Sequence, residues 1–87
     1  MSYVLSIKPS AVKEIEAIQT KKDRQSVVAK IQSLKINPRP VGCQKLVGLE
    51  SYRVRQGRYR IVYKIEDDLL TVLVVKVGDR KNIYRSL

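Results

Sequence analysis

The residues most able to do chemistry in this chain are arginines that alternate with apolar residues in the segment 52–65. Arginine stays charged, and its planar, two-pronged set of donors fits the oxygens of a phosphate group. Alternation of this kind predicts two β-strands. The dipeptide Gln56-Gly57 is expected to form a two-residue turn between them, because glycine tolerates a positive φ. We therefore predict a β-hairpin that carries guanidinium groups.

The pairing of the two strands decides which side chains share a face. A turn at 56–57 pairs Arg55 with Arg58 and Arg53 with Arg60, so that all four guanidinium groups project from one face of the sheet. The other face is expected to join the core through Tyr52, Val54, Tyr59, Ile61, Tyr63 and Ile65. Like charges set opposite each other destabilise a sheet, which favours an external polyanion as partner. The alternative is that the arginines extend into water or meet the chain's own carboxylates.

Composition bounds the class of protein. The chain has 87 residues, with 18 Lys and Arg against 8 Asp and Glu, and a formal net charge of +10. This length predicts one domain, residues 1–87, and this charge attracts nucleic acid or other anionic surfaces. With Cys43 as the one cysteine and no histidine, the residues offer neither an intramolecular disulfide nor a plausible zinc-ligand set. We expect an intracellular protein without a metal.

The elements that must hold the hairpin follow from the N-terminal half. Residues 3–7 predict a strand, and Pro9 predicts the first turn of a helix that buries Val12, Ile15 and Ile18. Asp23 is the expected N-cap of a second helix, whose apolar stripe would be Val27, Val28, Ile31 and Leu34. The short link between the helices predicts an antiparallel pair covering one face of the sheet. No apolar run approaches the ~20 residues of a membrane span, and no signal-peptide core is evident.

The segment after the hairpin is expected to turn at Glu66-Asp67-Asp68 and to continue as a central strand through the apolar run 69–77. Lys76, Gly78 and Arg80 share parity in that strand. An odd-length loop or a bulge at 66–68 would bring them onto the arginine side of the sheet, whereas a two-residue loop would not. The sequence leaves both arrangements open.

Taken in order, these motifs resemble the RelE/ParE superfamily of bacterial toxins, and in particular its RelE-like branch. The resemblance covers nearly the whole chain and rests on the segments 37–40, 45–48, 52–55, 57–63 and 77–80 and on the terminal Tyr84. It implies an α+β fold in which an N-terminal strand and an antiparallel helix pair pack on a twisted, mainly antiparallel sheet, as in RelE and microbial ribonucleases.

The resemblance also implies a function. The RelE-like branch consists of cytoplasmic toxins of type II toxin–antitoxin systems, which cleave mRNA in the ribosomal A site and need no cofactor. The expected reaction is attack of a ribose 2′-OH on the adjacent phosphate. The implied partners are the ribosome, the mRNA and a cognate antitoxin in a hetero-oligomer. A ParE-like toxin acting on DNA gyrase, or a non-catalytic RNA- or ribosome-binding module, are the alternatives.

Carried over by position, the catalytic roles fall on Arg53, Arg60, Arg80 and Tyr84. Binding of RNA phosphates is expected from Arg55, Arg58, Lys45, Lys76 and Lys81. The candidates for proton transfer are Tyr84, Lys76, Lys45 and Asp79. Tyr84 is assigned as either the general base or a surface on which an RNA base stacks. Two departures stand out. Relatives often have lysine at the strand pair that is arginine here, a poorer proton shuttle, and many have histidine where this chain has Asp79.

Overall fold

The structure is a computed structural model that describes residues 2–48 and 50–79. Its strands are β1 (Val4–Ile7), β2 (Gln44–Lys45), β3 (Tyr52–Gln56), β4 (Tyr59–Glu66) and β5 (Thr71–Asp79), and its helices are α1 (Pro9–Glu16) and α2 (Lys21–Ser33). The sheet order is β1-β5-β4-β3-β2, with β1 parallel to β5 and the other pairs antiparallel. The expected α+β fold is confirmed. Neither described helix has the length and apolar character needed to cross a membrane.

Both helices pack on one face of the sheet and bury a single stripe each. The buried residues are Ala11, Ile15, Ile18, Val27, Ile31 and Leu34 from the helical region, and Val54, Ile61, Tyr63, Val72, Val74 and Val77 from the sheet. The prediction that Val12 and Val28 belong to the core is wrong, since they are 38% and 39% exposed. Residues spaced three and four apart lie on the same side of a helix, so only a narrow apolar stripe is buried. Residues next to that stripe stay partly exposed.

The start of α2 also differs from the sequence prediction. The helix begins at Lys21, and Thr20 rather than Asp23 is the capping residue. Asp23 lies in the first turn, where a carboxylate is favourable because the unpaired N–H groups of a helix start carry partial positive charge. The link between the helices is held by Arg24, whose Nη1 donates to the carbonyl of Ile18 at 2.7 Å.

The hairpin of β3 and β4 forms as expected, but with another register. Its turn is at Gly57-Arg58, so Arg55 pairs with Arg60 and Arg53 pairs with Val62. The predicted pairs of Arg55 with Arg58 and Arg53 with Arg60 are wrong. Gly57 has a φ of 61° and occupies the first central position, which is typical of a type II′ turn. Because the shift is an even number of residues, the strand side chains keep their predicted faces.

A bulge at Val75 decides the orientation of β5. Tyr63 pairs with Val74 and Val62 pairs with Lys76, so Val75 is an extra residue without an opposite partner. Both Val74 and Val77 therefore reach the core, although they have opposite parity.

The same bulge brings Lys76 and Gly78 onto the arginine side of the sheet, where Gly78 lies opposite Arg60. The irregularity therefore lies at Val75 and not at 66–68, the position that the sequence had suggested for a bulge. Glu66 pairs with Thr71, so the loop between β4 and β5 has an even length of four residues.

The connection after α2 is fastened to the sheet by two tyrosines and one carboxylate. The hydroxyl of Tyr63 donates to the carbonyl of Pro38 at 2.7 Å in a buried position. Asp67 accepts from Nη1 and Nη2 of Arg39 at 3.3 and 3.0 Å. The hydroxyl of Tyr3 also donates to Asp67, at 2.8 Å. Strand β1, this connection and the β4–β5 loop therefore meet at Asp67.

The buried Tyr63 hydroxyl gives a first prediction. Burial, and next the Cys43 thiol, raise the pKa of Tyr63, so the group is a neutral donor at ordinary pH. Tyr63→Phe leaves the Pro38 carbonyl without this donor and should lower the free energy of unfolding by about 1–2 kcal/mol, measured by urea denaturation. Tyr59→Phe is the matched control, since the described residues offer its hydroxyl no hydrogen bond. Equal losses in the two variants would contradict the role of this bond.

The Asp67 network gives a prediction about acid. Hydrogen bonds from Arg39, and next from Tyr3, lower the pKa of Asp67 below its ordinary value of 3.8. A carboxyl whose folded pKa is lowered stabilises the fold above its unfolded pKa, and this contribution is lost as the pH falls through the folded pKa.

Asp67→Asn should therefore lower the urea midpoint at neutral pH, and its difference from the unmutated chain should shrink below pH ~4. Asp68→Asn replaces the adjacent carboxylate, which has no ion pair in the described part of the chain, and should show little change. If the difference in urea midpoint between Asp67→Asn and the unmutated chain does not vary with pH, the stabilisation does not come from the charge of the Asp67 carboxylate.

Candidate functional site

The side of the sheet turned away from the core carries two cross-strand rows. In the first row, Arg55 lies opposite Arg60, and Arg60 lies opposite Gly78. The second row consists of Gln44, Arg53, Val62 and Lys76. We call this side, with Arg53, Arg55, Arg60, Lys76 and Gly78, the arginine face. The structure thus brings together four cations that the sequence analysis named, from three neighbouring strands.

The first row holds uncompensated charge. Arg55 and Arg60 are direct cross-strand partners, an arrangement that destabilises a sheet unless something else balances the charges. Within residues 2–48 and 50–79, no ion pair reaches either guanidinium. Gly78 adds no side chain next to Arg60, so this strand leaves the approach to Arg60 open.

Arg53 is unusual because it is buried with no carboxylate partner among the described residues. The residue is only 5% exposed, and its Nη2 donates to Oε1 of Gln44 across β2 and β3. Its Nε is buried and has no hydrogen-bond partner among the described residues. A buried charge is costly unless it is paired, and a buried donor is rarely left unsatisfied. An anion that reached Arg53 would supply both a negative charge to pair with the guanidinium and an acceptor for its Nε.

Three other predicted phosphate-binding residues already have internal partners. Arg58 lies in the turn, and its Nε and Nη2 donate to Oδ2 of Asp79 at 2.8 and 2.5 Å. Lys76 donates to Oε2 of Glu14 at 3.1 Å. Lys45 lies 3.9 Å from Glu50, and both side chains are more than half exposed. Arg58 does not project from the arginine face as predicted, because it belongs to the turn rather than to β4.

Asp79 is engaged by Arg58, whose Nη2 lies 2.5 Å from Oδ2 of Asp79. The same contact raises the pKa of Arg58, through the hydrogen bond to Asp79 and then through the charge of that carboxylate. The charge of Asp79 is therefore partly balanced at the hairpin turn. The predicted site residues Arg80, Lys81 and Tyr84 lie outside the described residues, and their roles stay predictions.

Glu14 and Lys30 take part in this region although the sequence analysis did not single them out. Glu14 of α1 accepts from the amide of Val77 at 3.0 Å as well as from Lys76, so it covers the edge of β5 beyond the end of β1. Lys30 of α2 lines a cavity of about 290 Å³ together with Arg53 and Arg55. Both are charged residues on helices, which the sequence alone assigns to a solvated outer surface. The described residues contain no group of three His, Cys, Asp or Glu placed to hold a metal ion.

Comparison with known proteins connects the fold to a family. The family model that matches the chain is that of the ParE toxin of the type II toxin–antitoxin system parDE, and the match spans residues 5–84. Toxin RelG of Mycobacterium tuberculosis is 40% identical over 35 residues. That alignment covers 40% of this chain and 40% of the relative, so about two fifths of the curated relative's length is matched.

Two solved structures show how far the likeness of fold extends. The toxin–antitoxin complex RelBE2 from Mycobacterium tuberculosis matches with a TM-score of 0.81 at 22% identity, over 92% of this chain and 100% of that chain. The intact Escherichia coli RelBE toxin–antitoxin complex matches with a TM-score of 0.77 at 27% identity, over 90% of this chain and 96% of that chain. The sheet and helix arrangement is therefore shared along nearly the full length.

The buried charge of Arg53 makes a prediction about stability. Arg53→Met keeps most of the side-chain volume and removes a cation that has no carboxylate partner in the described structure. Since replacing buried charges by apolar groups is often stabilising, the free energy of unfolding should rise by on the order of 1 kcal/mol. Chemical denaturation of both proteins measures this. A loss of stability in Arg53→Met would identify Arg53 as a structural residue.

Proposed function

We infer the function from one premise, which is that the chain belongs to the RelE/ParE family of toxins of type II toxin–antitoxin systems. Within that family, we propose that it is a ribosome-dependent endoribonuclease that cleaves mRNA in the A site and thereby inhibits translation. The observation that carries this proposal is the arginine face, where Arg53, Arg55 and Arg60 have no internal carboxylate among the described residues. A surface of this kind suits the phosphates of a nucleotide chain.

The proposed reaction is attack of a ribose 2′-oxygen on the adjacent phosphorus, which breaks the bond between phosphorus and the 5′-oxygen. It releases a 5′-OH and leaves a 2′,3′-cyclic phosphate, which water can open to a 3′-phosphate. Its transition state gathers negative charge on the phosphate oxygens. Arg60 is the proposed main donor to these oxygens because no ion pair reaches it within residues 2–48 and 50–79 and because it lies beside Gly78. Arg53 is preorganised by its contact with Gln44 and would donate next to it. Such fixed donors act strongly because they need little reorganisation during the reaction.

Proton transfer requires a different group, since arginine remains charged. Among the candidates on the chain, Asp79 is held by Arg58, Lys76 by Glu14, and Lys45 lies near Glu50. These contacts favour Tyr84, which we propose as the general base or as the stacking surface for an RNA base. Arg80 is proposed as a further phosphate contact, and Lys81 as an RNA-binding residue. The ribosome would hold the mRNA in line for the attack.

An antitoxin is the proposed protein partner, because both solved relatives are toxin–antitoxin complexes. It would neutralise the arginine face or displace the C-terminal residues, and the two proteins would form a hetero-oligomer in the cytoplasm. A toxin that acts on DNA gyrase is the second candidate, since the matching family model is that of the ParE toxin. A non-catalytic RNA-binding module is the third.

Removal of Arg60 tests the proposal. Arg60→Ala should reduce mRNA cleavage by about 10²–10³-fold, the usual effect of losing one preorganised donor, while binding to ribosomes is retained. Cleavage is mapped by primer extension on mRNA after induction in cells, and binding by co-sedimentation with ribosomes. Lys64→Ala is the matched control, because Lys64 is an exposed cation on the same strand, about 13 Å from Arg60.

The outcomes separate the candidates. Cut transcripts with the unmutated chain and Lys64→Ala, but not with Arg60→Ala, support an endoribonuclease. Intact transcripts together with blocked supercoiling by gyrase would identify the second candidate. Intact transcripts together with ribosome binding would identify the third. In the first case, Tyr84→Phe distinguishes a base, whose loss removes cleavage, from a stacking surface, which phenylalanine can replace.

A further inference from the structure

A cavity lies beside the arginine face, at the end of β3 that β2 does not cover. Strand β2 pairs only with Tyr52 and Arg53, so within residues 2–48 and 50–79 the remainder of β3 has no paired strand on that side. Lys30 of α2 and the segment Val41-Gly42 form the opposite wall, and the volume is about 290 Å³. We call it the α2–β3 cavity. Its size is near the lower end of the roughly 300–1,000 Å³ of ligand sites, which suits one small group.

Among the described residues, the charges that line the α2–β3 cavity are all positive. These ionisable lining residues are Lys30, Arg53 and Arg55, and no described carboxylate lines the cavity. Arg53 contributes a side chain that is 5% exposed and an Nε without a hydrogen-bond partner in the described residues. Cations brought together without an acid repel one another, and the unpaired Nε adds the cost of an unsatisfied buried donor. An anion inside the cavity would reduce this repulsion and would accept a hydrogen bond from the Nε of Arg53.

The position of Arg53 and Arg55 indicates what kind of anion fits. Both line the cavity and both belong to the arginine face. They are two residues apart on a strand, which corresponds to about 6.8 Å. One ligand that carries successive anionic groups could therefore reach from Arg60 across Arg55 into the cavity. A small free anion could occupy the cavity, but it could not contact the cavity and the arginine face at the same time.

We propose that the α2–β3 cavity binds a phosphodiester group of a single-stranded RNA, next to the group held on the arginine face, with Lys30 as its third cation. This inference rests on the proposed function and extends it, because it assigns RNA binding to α2 and the 41–42 segment. The cavity would determine the path of the strand as it leaves the sheet. Lys30 is an RNA-positioning residue in this scheme and takes no part in the cleavage step.

Binding of an RNA that cannot be cleaved tests the inference. A fluorescein-labelled oligonucleotide with 2′-O-methyl groups is titrated with the purified chain, and fluorescence anisotropy is recorded at several salt concentrations. Lys30→Gln should weaken binding about tenfold, as expected for a charge-assisted hydrogen bond. It should also reduce the slope of log K against log salt by about 0.7, the value for one phosphate contact on a single strand.

Lys22→Gln is the matched control, because it removes the same charge from an exposed position on the same helix. A second pair of variants avoids any effect on folding. Val41 is fully exposed at the cavity wall and Leu69 is 71% exposed in the β4–β5 loop. Val41→Glu should weaken RNA binding through repulsion at the cavity, whereas Leu69→Glu should have little effect.

The inference is supported if Lys30→Gln and Val41→Glu weaken RNA binding more than their controls, Lys22→Gln and Leu69→Glu, do. Equal effects on RNA binding within each pair overturn it. An acidic peptide that binds in a Lys30-dependent manner, when the RNA does not, would also overturn it and assign the cavity to a protein partner. Cleavage on programmed ribosomes is measured separately. If RNA binding depends on Lys30 but no cleavage is seen, the proposed function is refuted and the RNA site in the cavity stands. If cleavage is seen but Lys30→Gln does not weaken RNA binding, the proposed function stands and the RNA site in the cavity is refuted.

Discussion

The extra residue Val75 in β5 is the constraint on which the two faces of the sheet depend. Without it, the strand would place Val77 outside the core and Lys76 inside it, because side chains alternate along a regular strand. With the bulge, Val74 and Val77 both pack against the helices, while Lys76 and Gly78 join the arginine face. One bulge therefore places these two valines in the core, and Lys76 and Gly78 at the candidate site. β-Bulges are often found next to functional sites in this way.

The distribution of carboxylates then determines which cations stay available. Asp67 holds Arg39, Asp79 holds Arg58, and Glu14 holds Lys76. The exposed Arg39–Asp67 pair fastens the connection after α2 and contributes little free energy by itself. None of these carboxylates reaches Arg53, Arg55 or Arg60 in the described structure. Within the described residues, these three carboxylates fasten loops and edges and form no ion pair with the central cations.

The likeness of the fold and the chemistry of the surface carry different information. The match to the family model over residues 5–84 assigns the chain to its family of toxins, and the architecture is shared along nearly the full length, but one fold can support more than one target. Side chains on the sheet decide between those targets. The Arg55–Arg60 pair, which has no ion pair among the described residues, and the buried Arg53 favour a phosphate chain.

The sequence by itself determined the two helices and every strand except the short β2, together with the alternation of the hairpin and the shared face of Arg53, Arg55 and Arg60. These depend on local periodicity, and a shift of register by an even number of residues does not change them. Only the tertiary structure decided the pairing of Arg55 with Arg60, the bulge at Val75, the burial of Arg53 and the approach of Lys30 to β3. Each of these depends on contacts between segments distant in the chain, which residue spacing along one strand or helix does not encode.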